Sequence, residues 1–80
     1  MKATIQNANI RGCEKKTNKS GGEYLLVRYE EDGTGIQQQL VDKDISRMQY
    51  YKRDSNMILT IDIDQGRQYT NIRIIDAKLI

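Results

Sequence analysis

The sequence has no histidine, tryptophan, phenylalanine or proline, and its 80 residues include a single cysteine. Without histidine, the chain lacks the commonest general base, the usual serine and cysteine triads and most kinds of zinc site. Its six glycines follow neither the dinucleotide-binding pattern nor the Walker spacing that holds phosphates. We therefore expect a protein that is not an enzyme and that binds no metal and no cofactor.

Two features could still form a catalytic or metal-binding site. Asp62 and Asp64 would lie on the same face of a strand, where they could act as paired acids or as ligands of a hard metal. Their place at the end of an apolar run is more typical of the solvent face of a strand that enters a turn. Cys13 has two lysines close by that could lower its pKa, but no second cysteine or base accompanies it. We interpret it as a small, half-buried strand residue.

The chain also has no long apolar run. A membrane-spanning helix needs about 18 consecutive apolar residues, which no stretch approaches, and residues 1–10 lack the apolar core of a signal peptide. A single cysteine cannot form an internal disulfide, which fits a reducing compartment. We expect a soluble, cytoplasmic protein with no membrane partner.

What the sequence does contain is typical of a small β protein. Eleven isoleucines and five threonines against three alanines favour strands. The net charge of +2 gives no reason to expect disorder, and 80 residues make one domain over positions 1–80. The core of so short a chain is thin, so association with a second copy would help to stabilise it.

Alternation of apolar and polar residues predicts five strands. They are residues 3–10 with a bulge near Gln6 and Asn7, residues 23–31, 35–41 with Ile36 and Leu40 on one face, 57–63, and 69–79 with a second bulge. The polar residues 14–22 predict a loop or hairpin tip, and residues 32–35 a turn. Residues 42–53 predict one short helix that Asp42 or Asp44 caps.

This order of three strands, a helix and two strands indicates an all-β protein with one short helix. Five strands in so short a chain must close on themselves to hide their edges and to bury their apolar faces. The five-stranded Greek-key barrel of the OB type does so, with its helix between the third and fourth strands. An SH3-like barrel is the nearest alternative, although its long loops fall elsewhere.

Basic residues cluster although the total charge is nearly balanced. Residues 11–28 hold five basic and two acidic side chains, and residues 47–53 hold three basic and no acidic ones. In the second strand, alternation places Tyr24, Leu26 and Arg28 on one face, next to the basic loop. Lysines neutralise phosphates and a tyrosine stacks on any base, so this surface fits single-stranded nucleic acid.

The same residues have a simpler interpretation. A lysine-rich hairpin tip also keeps strands soluble, and a tyrosine in a strand more often packs across strands than binds a ligand. All five aromatic residues are tyrosines, which suits half-exposed positions and favours the binding interpretation. Tyr29 shares its face with Leu25 and Val27, so it either lines the core or joins the binding surface.

Two segments resemble the gene V family of single-stranded DNA-binding proteins from filamentous phages. Residues 17–25, TNKSGGEYL, are similar to the family's basic, glycine-containing hairpin followed by a tyrosine, and residues 66–79 to its loop with an aromatic tip and its final strand. The resemblance implies an OB-type barrel that forms a homodimer and coats single-stranded DNA with little sequence preference. It also implies a role in DNA replication or transfer for a bacteriophage or mobile element, in the cytoplasm of the bacterial host.

The residues and this resemblance together define the expected site. By the resemblance, Tyr24 corresponds to the family's stacking tyrosine, Leu26 to the apolar contact beside it and Tyr69 to the aromatic residue of the last loop. The side chains expected to bind phosphates are Arg11, Lys15, Lys16, Lys19 and Arg28.

Two alternatives stay open. The chain could be a β-barrel adaptor or inhibitor, in which the apolar Leu26, Met48 and Met57 form a protein interface and the basic loop is incidental. RNA could replace DNA as the ligand, because nothing in the sequence identifies a contact to the 2′-hydroxyl.

Overall fold

Five strands and a 3-10 helix make up the computed structural model, which describes residues 1–31, 33–66 and 70–80. In chain order they are β1 (Lys2–Thr17), β2 (Glu23–Glu31), β3 (Gln37–Asp42), the 3-10 helix (Ile45–Tyr50), β4 (Asn56–Gln65) and β5 (Thr70–Leu79). The described residues contain no helix that is long and apolar enough to cross a membrane. The predicted succession of three strands, one helix and two strands is confirmed.

The strands close into a barrel. Their order around it is β1-β2-β3-β5-β4, and β4 pairs again with β1. Neighbouring strands are antiparallel except β3 and β5, which pair in parallel at Val41 with Arg73 and at Asp42 with Ile74. With the helix between β3 and β4, this is the five-stranded OB-type arrangement that the sequence predicts.

The core fills the barrel with the inward-facing residues of its strands. The buried apolar side chains are Ile5, Ala8, Ile10, Leu25, Val27, Tyr29, Tyr51, Met57, Leu59, Ile61 and Ile74. Tyr29 is 1% exposed and donates a hydrogen bond to the Gln38 side-chain oxygen at 3.1 Å, so it belongs to the core and not to a binding surface. Met57 is fully buried, so the prediction that it contributes to a protein interface is wrong.

Both bulges expected from the sequence are present. The pairing of β1 with β4 shifts between Ile5 and Ala8, which confirms the bulge predicted near Gln6 and Asn7. The pairing of β4 with β5 shifts so that Ile75 has no partner on β4, which confirms the second one. Each shift moves the alternation of side chains by one residue and lets a long strand curve around the core.

A third bulge was not predicted and has more effect on function. The pairing of β1 with β2 shifts between Ile10 and Gly12, so Arg11 is an extra residue on β1. Ile10 lies opposite the core residue Tyr29 before the bulge, and Cys13 packs against the core after it. The bulge thereby exchanges the inward-facing and outward-facing positions of β1 from this point onward.

The ends of β1 and β3 differ most from the prediction. β1 continues to Thr17, so residues 14–17, predicted as part of a loop, pair with residues 23–26 of β2. Residues 14–17 are all exposed, which removes the apolar alternation that would have indicated a strand. β3 begins at Gln37, and Ile36, predicted to share a face with Leu40 in this strand, precedes it and is 63% exposed.

The 3-10 helix begins next to a buried carboxylate. Asp44, one of the two predicted caps, accepts a hydrogen bond from the Ser46 N–H at the start of the helix. Asp42 is fully buried. Its carboxylate accepts hydrogen bonds from the Tyr51 hydroxyl at 2.6 Å, the Arg47 guanidinium at 2.8 Å and the Asp44 N–H at 2.9 Å. Tyr51 is therefore the aromatic residue that fixes this segment to the barrel.

Candidate nucleic-acid interface

The outer faces of β1 and β2 bring together four of the residues predicted to bind nucleic acid. Beyond the bulge, three pairs of residues lie opposite each other on the side that points away from the core: Gly12 with Arg28, Glu14 with Leu26 and Lys16 with Tyr24. Residues opposite one another on adjacent strands share a face and are in reach of each other. We call these six residues the outer strip.

Tyr24 lies at one end of the outer strip, between two lysines. Lys16 is opposite it on β1, and Lys43, which follows the last residue of β3, is its neighbour on the other side. Tyr24 is half-buried and lines an open pocket of about 390 Å³ together with Val41, Lys43 and part of the hairpin loop. A partly exposed aromatic ring between two cations is suited to stacking on a base whose flanking phosphates contact the cations.

A second pocket of about 410 Å³ continues the first across the barrel. Its lining is Val41, Lys43, Asp62, Asp64, Asn71, Ile72 and Arg73. The two pockets share Val41 and Lys43, and we call them together the groove. The groove runs from Tyr24 over the end of β3 to Arg73, where its charge changes from basic to mixed.

Glu14 is the acidic residue of the outer strip and pairs with both of its cations. Lys16 Nζ lies 3.2 Å from one carboxylate oxygen of Glu14, and Arg28 Nη2 lies 3.3 Å from the other. The hydrogen bond from Lys16, followed by the positive charges of Lys16 and Arg28, lowers the pKa of Glu14 below its usual value. The three side chains are 42–47% exposed, and ion pairs this exposed are weak enough for another anion to replace them.

The hairpin loop between β1 and β2 is an ordered turn that carries Lys19 near its tip. The Asn18 side-chain oxygen accepts hydrogen bonds from the Ser20 N–H at 3.0 Å and from the Gly22 N–H at 2.8 Å. Gly21 has a φ of +88°, which favours glycine, and a Cβ atom at Gly22 would lie 2.9 Å from the Asn18 amide nitrogen. The turn by itself therefore accounts for both glycines.

Two residues predicted to bind phosphates lie away from the outer strip. Arg11 is the bulge residue, and its guanidinium lies 2.6 Å from the Glu30 carboxylate and 3.6 Å from that of Asp54. These contacts connect β1 with β2 and with the turn before β4, so Arg11 has a structural role. Lys15 is on the face of β1 opposite the outer strip and pairs with Glu23 at 3.2 Å.

Sequence reasoning missed the part of the groove that β3 and β5 supply. The sequence predicts Lys43 to lie at the start of the helix and Arg73 within the last strand, with no sign that either contributes to a site. The register of β2 and β3 identifies Lys43. Leu25 pairs with Asp42 in this antiparallel pair, so Tyr24 and Lys43, the residues beyond them, are adjacent. Tyr69, predicted as a stacking residue, lies outside the described residues.

The other chemical candidates of the sequence are the acidic pair Asp62 and Asp64, which line the groove, and Cys13. Asp62 lies 3.5 Å from the N-terminal amine and 3.6 Å from Arg73, and no group of three or more Cys, Asp or Glu side chains in the described ranges could hold a metal ion. Cys13 is the half-buried, free thiol that the sequence predicts. Burial raises its pKa, as do the charges of Asp42 and Glu14, so the reactive thiolate is disfavoured.

No family model, curated protein or solved structure matches this chain. The resemblance to the gene V proteins therefore stays a prediction from the sequence segments given above. The geometry of the outer strip and of the groove is the basis on which a function can be inferred.

Proposed function

We propose that the protein binds single-stranded DNA, without sequence preference, on the outer strip and along the groove. The observation that supports this most is the position of Tyr24, half-exposed in an open pocket with Lys16 on one side and Lys43 on the other. A base stacked on Tyr24 would bring the phosphates on either side of it near the two lysines. Stacking contributes about 1–3 kcal/mol per base and tolerates every base, while the lysines neutralise phosphates.

The same geometry favours a single strand over a duplex. In a duplex the faces of the bases are already stacked on one another, so none is free to contact Tyr24. Leu26 lies opposite Val41 of β3, and the two provide an apolar surface beside Tyr24 for a second base or a sugar. Lys19 in the adjoining loop and Arg28 in the outer strip supply further positive charge on this side of the barrel.

The biological setting is a further part of the proposal and rests on the resemblance alone. A gene V type protein would coat and protect single strands during the replication or transfer of a phage or mobile element, in the cytoplasm of a bacterial cell. It would do so as a homodimer. The thin core of an 80-residue chain is in keeping with such an association.

A protein-binding adaptor or inhibitor is the second candidate function, and exposed apolar side chains favour it. Met48, Tyr50 and Leu79 are 43%, 47% and 60% exposed. Tyr50 and Leu79 line an open pocket of about 490 Å³ that shares no described lining residue with the groove. A partner that binds there would leave the outer strip free.

Titration with single-stranded oligo-dT at low and at moderate salt tests the proposal, with tyrosine fluorescence as the signal and a duplex of equal length as the control. We expect quenching that saturates on the single strand, is much weaker on the duplex and falls steeply with salt. Absence of binding at low salt would refute the proposal. Equal binding of oligo-U would extend the ligand to RNA.

Two variants then test the site with a labelled oligo-dT, and a third is the control. Tyr24→Leu removes the stacking ring and should weaken binding about 5- to 150-fold, the equivalent of one stacked base. Tyr50→Leu changes a partly exposed tyrosine outside the groove and should leave the affinity unchanged. Replacing Lys16 and Lys43 together by alanine should reduce the slope of log affinity against log salt by about 1.4, since each phosphate contact with a single strand contributes about 0.7. A larger loss for Tyr50→Leu than for Tyr24→Leu would place the interface at the apolar pocket instead.

A further inference from the structure

The centre of the outer strip holds a carboxylate between two cations. Each of the two oxygens of Glu14 faces a different cation, Lys16 at 3.2 Å and Arg28 at 3.3 Å. A phosphodiester likewise carries one negative charge shared by two oxygens. The residue opposite Glu14 is the apolar Leu26, which provides no charge of its own to compete for either cation.

Gly12 provides the space in which the Arg28 guanidinium lies. A Cβ atom at this position would be 2.8 Å from Arg28 Nη2 and 3.3 Å from Nε. The guanidinium is therefore packed against the bare backbone of β1, one pair along the strand from Glu14. A side chain at Gly12 would push the end of Arg28 aside without colliding with backbone, so the barrel itself would tolerate it.

We propose that Lys16 and Arg28, the latter packed against the backbone of Gly12, form a phosphate subsite, and that the Glu14 carboxylate occupies it in the free protein. The inference rests on the proposed function, and it assigns Glu14 a definite role in it. A phosphodiester of the bound strand displaces Glu14 and takes over both cations. Glu14 therefore lowers the affinity for the strand, and it reduces the charge of the outer strip from +2 to +1 when no strand is bound.

This arrangement also changes how binding responds to salt. Neutralising the phosphates releases counterions into solution, which makes binding salt-sensitive. When Glu14 is displaced, its free carboxylate attracts a cation again and cancels part of that release. A protein without the Glu14 charge should therefore bind more tightly at low salt and depend on salt more steeply.

Glu14→Gln tests the subsite, with Glu31→Gln as the matched control. Both variants remove one exposed negative charge from the strand pair β1 and β2, but Glu31 lies at the other end of β2, outside the outer strip and the groove. In titrations with oligo-dT, Glu14→Gln should bind on the order of 5-fold more tightly at low salt, and its log-log salt slope should be steeper by about 0.7. Glu31→Gln should show less than about a 2-fold change and an unaltered slope, because it alters only the net charge.

Gly12→Ala is the second test, because it displaces the cation Arg28 and leaves the carboxylate of Glu14 in place. We expect a far-ultraviolet circular dichroism spectrum and an unfolding midpoint close to those of the wild type, with binding weakened about 2- to 5-fold through the displaced Arg28. An affinity for Glu14→Gln that equals that of Glu31→Gln, or falls below the wild type, would overturn the subsite while leaving the proposed function intact. An unchanged affinity in Gly12→Ala would also overturn it. If neither the wild type nor Glu14→Gln binds oligo-dT, the proposed function itself fails.

Discussion

Replacing Tyr51 with phenylalanine should destabilise the barrel far more than a change of one oxygen atom suggests. The Asp42 carboxylate has no exposed surface, and its Oδ2 atom accepts a 2.6 Å hydrogen bond from the Tyr51 hydroxyl. Arg47 and the backbone of Asp44 bind the other oxygen, Oδ1. Tyr51→Phe keeps the ring and its packing, so its main effect is to leave one oxygen of a buried carboxylate without its donor.

The expected size of the effect follows from this geometry. A hydrogen bond to a charged group contributes about 1.5–3 kcal/mol to stability, and the loss is at the upper end where water cannot replace the donor. In a domain of this size, 1 kcal/mol shifts the melting temperature by about 4–8 °C, so we expect Tyr51→Phe to melt at least about 6 °C below the wild type. Domains have only about 0.05–0.15 kcal/mol of stability per residue, so the loss is a large fraction of the total.

Urea unfolding followed by circular dichroism measures this loss directly. The midpoint should fall while the dependence of the unfolding free energy on urea stays constant, because the same surface is exposed on unfolding. Tyr50→Phe is the control, since Tyr50 is the adjacent residue and is 47% exposed. It should unfold like the wild type. A difference of less than about 0.5 kcal/mol between the two variants would show that Asp42 does not depend on this hydrogen bond.

Two further predictions concern titratable groups. The hydrogen bond from Arg11, and then that from the Gly35 N–H, lowers the pKa of Glu30 below its ordinary value of 4.5. The ionised Glu30 therefore stabilises the fold fully above pH 4.5, and this stabilisation is lost as the pH falls through the lowered pKa. Glu30→Gln should therefore have a lower urea midpoint than the wild type at pH 7 and a smaller deficit at pH 3, while the control Glu31→Gln shows no such convergence; an equal deficit at both pH values would contradict this. The raised pKa and half-burial of Cys13 predict that a disulfide reagent at pH 8 reacts more slowly with the folded protein than with the protein in urea, and equal rates would show that the thiol is not shielded.

The strands that could be predicted are those with one face in the core and one in water. Leu25, Val27 and Tyr29 are all buried, whereas the residues between them are half-exposed. The alternation of residue types in the sequence therefore follows the alternation of buried and exposed positions in the structure. β4 is predictable for the same reason, with Met57 and Leu59 fully buried. Two of the three bulges could be predicted as well, because each breaks this alternation between apolar residues.

The end of β1 and the bulge at Arg11 could not be predicted, because there the pattern of side chains is not set by burial. Residues 14–17 are exposed on both faces of the strand, so their pairing with β2 produces no alternation of apolar and polar residues. The bulge changes which residues of β1 face outward, and it places Glu14 and Lys16 together with Tyr24. Half of the outer strip therefore depends on one extra residue whose own role is an ion pair with Glu30.

The contacts at the end of β3 both stabilise the barrel and support the proposed binding site. Two-residue alternation turns Asp42 inward and Val41 and Lys43 outward, so the groove begins where the buried carboxylate is fixed. Val41 and Asp42 are also the residues through which β3 pairs with β5 and closes the barrel. Arg47 strengthens this junction, since besides binding Asp42 it donates a 2.6 Å hydrogen bond to the carbonyl oxygen of the bulge residue Ile75. The part of the groove that would contact a base and its phosphates is therefore supported by the buried contacts that hold the barrel closed.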